Sequence, residues 1–211
     1  AIAMAARRPD LVTALVLFGT YADGPAIFTN LPYRESVLSM VRAHWGTGAR
    51  VVAELYRPGT TDEGARHFAR AMRESADAEV AAAYLEALYD ADVTTLLPAV
   101  STPALVLHYR RDRVVPYAGG MQLAHGLPNA SFLPLDGAFH LPDAADVPRI
   151  VAAVTEFVQL HSSSAPAASY ARACSTGSWW RCSTAASLRT PTSMRYWPPI
   201  NGPARKPPGV L

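Results

Sequence analysis

Pro103-Ala-Leu-Val-Leu-His-Tyr-Arg-Arg-Asp112-Arg-Val-Val-Pro116 is the stretch on which the reading of this chain turns. Ala104 to His108 is a short apolar run of the kind that forms a strand covered on both faces, and it delivers a carboxylate just past its carboxyl end. A second segment, Gly137-Ala-Phe-His140-Leu-Pro, follows the next run of strand length, Ala130 to Leu135, and places a histidine 28 residues beyond Asp112. Loops that follow successive parallel strands emerge at the same edge of a sheet, so Asp112 and His140 can meet there. An imidazole oriented by a carboxylate through Nδ1–H becomes a base able to take a proton from a hydroxyl. Taken singly, Asp112 also reads as a turn former capping a helix near Tyr117, and a loop histidine is usually only solvated. The pair, in this order, is what points to chemistry.

Working outward, the flanking segments repeat an α/β rhythm. Ala1 to Arg8 reads as the end of a buried helix stopped by Pro9-Asp10, because the residue before proline is driven out of the helical region. Leu11-Val-Thr-Ala-Leu-Val-Leu-Phe18 is a nearly continuous apolar strand closed by Gly19. Tyr117 to His125 reads as a helix ended by Gly126, and Ala130 to Leu135 as a mixed-polarity strand suited to a sheet edge. Asp146 to His161 is the clearest helix, with Asp146 as N-cap, Pro148 in its first turn and an apolar stripe from Val147 to Val158. Residues 25–92 differ in texture. Pro25, Pro32, Pro58 and several glycines divide them into short pieces, with helices expected over Arg34 to Trp45, Val51 to Tyr56 and one long stretch, Ala65 to Tyr89. An all-helical insertion between two buried strands would cover a pocket at their carboxyl ends.

Charge separates the chain into two parts. Residues 1–161 carry 13 cations against 17 acids, whereas residues 162–211 hold six cations, no acid, seven prolines and three of the four tryptophans. The acidic body disfavours a nucleic-acid partner. The remainder lacks any sustained period and reads either as a frame-shifted or wrongly joined translation or as a disordered basic tail. Both cysteines, Cys174 and Cys182, lie in it, and a cysteine-free body suits the cytoplasm. No apolar run approaches the roughly 20 residues that cross a bilayer, so no membrane partner is expected. His44, His67, His108, His125 and His161 show no metal-ligand spacing, and neither metal nor cofactor is expected.

These segments together resemble the α/β-hydrolase fold family. Ala1-Ile-Ala-Met-Ala-Ala-Arg-Arg-Pro-Asp-Leu-Val-Thr-Ala-Leu-Val-Leu-Phe-Gly is similar to the part just after that family's nucleophile elbow. Pro103 to Pro116 is similar to its acid-bearing strand and loop, and Gly137-x-x-His140 to its histidine loop. The resemblance implies an α/β fold over residues 1–161, the C-terminal part of an α/β-hydrolase fold, with a mostly parallel sheet and a helical cap insertion at about 25–92. It implies Asp112 as catalytic acid and His140 as catalytic base, acting on a small ester, lactone or related acyl compound. Tyr21, just after the first strand, is a candidate substrate-binding residue. The wording around Asp112 and the Leu-Pro after His140 further resemble bacterial hydrolase-like domains that accompany nucleotide cyclase or helix-turn-helix regulator domains. That subgroup implies an alternative, a non-catalytic ligand-sensing domain.

One departure stands out. The family's serine sits in a Gly-x-Ser-x-Gly turn ahead of both partners, and no such turn precedes Asp112. The resemblance would put it a few residues before Ala1, so the chain reads as cut in mid-pattern and inactive alone. Ser36 and Ser39 fall in the helical insertion, and Ser101 and Ser131 at strand entrances, on the opposite edge from Asp112. A truncated product that does not fold is the plainest remaining reading, and a sheet deprived of its early strands should expose an apolar edge.

Overall fold

The structure is a computed structural model, and it describes residues 1–162. The expectations for residues 163–211 lie outside the described residues. Three parallel strands, β1 (Leu15–Phe18), β2 (Ala104–Tyr109) and β3 (Ala130–Leu135), form a sheet in that spatial order. Leu15 is opposite Ala104, and Ala104 is opposite Ala130, so the three strands begin level, and β1 stops opposite Leu107, two residues before β2 and β3 end. All six residues of β2 are buried, as expected of a continuously apolar central strand. Its side chains alternate between two cores. Ala104 and Val106 join Ile2 and Ala5 of α1 (Ile2–Arg7) and Leu123 of α7 (Tyr117–Gly126). Leu105, Leu107 and Tyr109 face Ala153 and Phe157 of α8 (Val147–Ser162).

β1 is shorter than the apolar run that announced it. Pro9–Leu11 form one 3₁₀ turn, with Arg8 paired to Asp10 at 2.7 Å, and the strand begins only at Leu15. Among the described residues β2 is its one partner, and Val16 stays 39% exposed, an apolar residue left at the sheet edge. β3 occupies the other edge, where Pro134 interrupts no ladder on its open side.

Between β1 and β2 the chain is helical: α2 (Gly24–Ile27), α3 (Leu31–Ala43), α4 (Trp45–Tyr56), α5 (Asp62–Ser75) and α6 (Ala78–Tyr89). The expected single helix over Ala65–Tyr89 is two. Asp77 is extended (φ −79°, ψ 178°) and its carboxylate accepts the Val80 N–H at 2.9 Å, so the chain stops at Ala76 and restarts. Pro25 and Pro32 likewise start helices rather than break them, each in a first turn behind an Asp23 or Asn30 cap. Two small cores hold this segment, Val37 and Val41 against Ala81 and Ala82, and Ala49 and Ala53 against Ala69. No helix among the described residues is long and apolar enough to cross a membrane.

Candidate active site

At the end of β2 the chain turns sharply, with the Asp112 N–H donating to the Tyr109 carbonyl and the Arg111 N–H to Gly137. This turn puts the Asp112 side chain wholly out of solvent. A buried carboxylate is tolerable only when its lone pairs are satisfied, and here they are. Oδ1 accepts the Val114 and Val115 N–H groups at 2.8 and 3.1 Å, and Oδ2 accepts His140 Nδ1–H at 2.8 Å. The backbone bonds fix the plane of the carboxylate, so it can neither rotate away from the imidazole nor shift toward solvent.

His140 is held from three sides. Its N–H donates to the Tyr56 carbonyl at 2.8 Å, and its ring meets the Tyr56 ring edge-on, centroids 4.6 Å apart. Beneath it lies Gly19, the residue that closes β1. Gly19 has φ +57°, and a Cβ there would stand 3.3 Å from both Nδ1 and Cε1 of the imidazole. Glycine is required for the conformation and for the approach. Tyr109 anchors the following loop: its hydroxyl donates to Asp146 Oδ2 at 2.8 Å and accepts the Asp143 N–H at 3.0 Å. Burial pushes that hydroxyl up to about 12. Asp146 therefore gives its side chain to Tyr109, while its carbonyl takes the Ile150 N–H of α8.

Sequence reasoning passed over His108 as the end of a strand. The structure buries it completely beside Asp112, Nε2 lying 3.5 Å from Oδ2. Nε2 is also 2.9 Å from the Val115 carbonyl, which can only accept, so this nitrogen carries the proton and turns a positive edge toward the carboxylate. Its Nδ1 has no partner, and Gly120 of α7 packs so close that a Cβ would come within 2.3 Å of it. The only sequence signal was spacing: His108 stands four residues before Asp112.

The imidazole opens on a cavity of about 330 Å³ between the strand ends and the helical segment, with Gly19, Tyr21, Tyr56, Tyr84 and Arg113 on its wall. Tyr21 lies on this wall. Its hydroxyl donates to the Leu88 carbonyl, and burial, reinforced by Tyr84 and Tyr89, pushes it up to about 12. Among the described residues no serine lines the cavity. Ser36 donates to Pro32 within α3, and Ser131 pairs with Leu105 at the far end of the sheet. Among the described residues no cluster of His, Cys, Asp or Glu could hold a metal ion. With Nδ1–H given to Asp112, Nε2 is the imidazole atom left to accept a proton.

No family model matches the sequence, and no curated protein matches it. Solved structures do match. A hydrolase from Oleispira antarctica superposes with TM-score 0.64 at 19% identity, over 74% of this chain and 59% of that one. The enol-lactonase from Burkholderia xenovorans LB400 gives 0.61 at 23% identity, over 75% and 60%. A malate-bound thermophilic esterase from Thermogutta terrifontis gives 0.55 at 30% identity, over 76% and 61%. The chain spans about 60% of the length of these structures.

Proposed function

From the premise that this chain has the α/β-hydrolase fold, we propose that it supplies the acid and the base of a serine-type hydrolase acting on a small ester, lactone or related acyl compound. One observation carries the reading: a fully enclosed Asp112 holds Nδ1 of His140 at 2.8 Å while the same imidazole forms part of a cavity wall. The attacking hydroxyl is a serine on the turn leading into α1, ahead of Ala1. It adds to the carbonyl carbon as its proton passes to His140 Nε2. The imidazolium, stabilised by Asp112, returns that proton to the departing alkoxide, leaving an acyl-enzyme. Water then repeats the sequence, releasing a carboxylic acid and restoring the serine. The helical segment at about 25–92 acts as a cap over the cavity, and Tyr21 is one of the residues that shape the bound substrate.

The test uses protein expressed from the complete reading frame that contains this chain, assayed with p-nitrophenyl acetate and butyrate. His140→Ala is expected to lower kcat by roughly 10³-fold or more. Turnover that survives both His140→Ala and removal of the serine hydroxyl would sink the proposal.

A second reading, a ligand-sensing domain without catalysis, is supported by the resemblance of Asp112-Arg-Val-Val-Pro116 and of the Leu141-Pro142 after His140 to hydrolase-like domains that accompany regulator domains. Saturable binding of a small acyl compound, with no turnover and no serine labelled by a fluorophosphonate, would decide for it.

A further inference from the structure

A second hollow lies within the helical segment, between α4, α5 and α6, and the acid–base pair does not touch it. Its volume is about 500 Å³, and it shares Val52, Tyr56, Tyr84 and Leu85 with the cavity at His140. Trp45, Phe68 and Met72 supply most of the remaining wall, and no charged side chain takes part. The polar groups that could wet it are largely committed. Trp45 Nε1–H donates to the Ala76 carbonyl at 2.8 Å, and the Ser75 hydroxyl to Ala71 at 2.7 Å. Burial holds the Tyr56 hydroxyl up at about 12, so it stays neutral. Such a wall rewards only dehydration and close packing, and it gives a charged group no compensation for leaving water. Val80 and Tyr84 nevertheless stand 57% and 64% exposed on it, apolar surface that an occupant would remove from water.

Continuity selects the occupant. A molecule placed with its reacting carbon at His140 Nε2 meets the four shared side chains next, and beyond them the uncharged hollow. We infer that this hollow takes the aliphatic tail of the same substrate, so that the preferred compounds are neutral esters with an unbranched chain of medium length rather than short or charged ones. This rests on the hydrolase reading for the reacting end of the molecule. It does not rest on it for the binding of the tail.

The experiment therefore has two arms, both on protein from the complete reading frame. In the first, kcat/KM is compared for p-nitrophenyl octanoate and acetate. Each buried methylene contributes up to about fourfold, so the ratio is expected to be at least tenfold in favour of octanoate. Ala71→Trp, which fills the hollow from an exposed position, should cut that ratio at least tenfold, chiefly through KM. In the second arm, 1-decanol displaces the neutral fluorescent probe N-phenyl-1-naphthylamine, and Val80→Glu, a charge placed at an exposed wall position, weakens the displacement about tenfold. A ratio that ignores Ala71→Trp, or decanol that fails to displace the probe from the unaltered protein, overturns the inference. So does a self-association that Val80→Glu abolishes, because the hollow would then be a face for a second copy. Displacement that both variants weaken, in a protein that turns over no ester, would instead leave the apolar site standing and remove the hydrolase reading.

Discussion

β2 and the helices that precede it bury their residues in opposite styles. Along β2 every side chain is enclosed, two cores are fed from alternate residues, and beyond the strand both oxygens of Asp112 are held, one by the Val114 and Val115 N–H groups and the other by His140. In α3 to α6 the shared cores are a few alanines and valines, and the pairs of Arg42 with Glu79 and Glu86 lie largely in solvent, while a mostly buried Arg34 reaches an exposed Asp90. Small side chains leave helices free to shift at modest cost, whereas a strand locked on both edges leaves its terminal atoms no latitude. Placement of Asp112 and His140 thus falls to the strand ends. Shape and polarity of the space around them fall to the helices.

Asp112→Asn should show this division most strongly. The amide preserves the shape but cannot hold the imidazole in the same tautomer, and kcat of the full reading-frame protein is expected to fall by roughly 10³–10⁴-fold with KM little changed. Tyr84→Ala, on the helical side, should do the reverse and act on KM. Equal effects on kcat would erase the distinction.

The next largest effect is on stability. Leu107 and Val41 are both completely buried, one in β2 and the other in α3. Urea unfolding should register roughly 2–5 kcal/mol for Leu107→Ala, since the locked strand cannot close over the gap. For Val41→Ala the loss should be at the lower end of about 1.5–3 kcal/mol, because neighbouring helices can move in. A larger loss at Val41 would mean that the helical segment is the stiffer part.

Legibility in the sequence followed the same line. The strands, α7 and α8 were readable because apolar runs of fixed period are dictated by a core that accepts nothing else. Asp112 and His140 were readable because they follow consecutive strands. The break at Asp77 was not, because an aspartate on an exposed helix face and one that caps a new helix look alike until its φ and ψ are known. Pro25 and Pro32 misled for a related reason, since proline serves a first helical turn as well as it ends a last one. His108 was hidden because its importance comes from a neighbour across the turn, and the demand on Gly19 because that comes from His140, far along the chain.

Alkaline titration sharpens the picture further. Tyr21, Tyr56 and Tyr109 are all pushed up to about 12, in each case chiefly by burial. Above pH 10 the unfolded chain releases these protons while the folded chain keeps them, so stability is full below pH 10 and falls as pH rises toward 12. Tyr56 alone should account for roughly 1–2 kcal/mol of the loss after allowance for screening. Tyr56→Phe should flatten that part of the urea-midpoint curve, and an unchanged slope would count against its enclosure. Smallest of all, Arg42→Ala should leave the midpoint nearly unmoved, because its partners are exposed and exposed pairs contribute little. A clear drop would show that the helical segment depends on its surface charges.

The attachment of His140 has a mechanical consequence. Its amide hangs from the last residue of α4, and its imidazole hangs from the turn after β2. Were α4 to lift and widen the entrance, either the bond to the Tyr56 carbonyl must part or the ring must be drawn off Asp112. The two supports act as an interlock. In the second case the bond from Nδ1 to Asp112 would be broken whenever the entrance stood ajar and remade only when it shut.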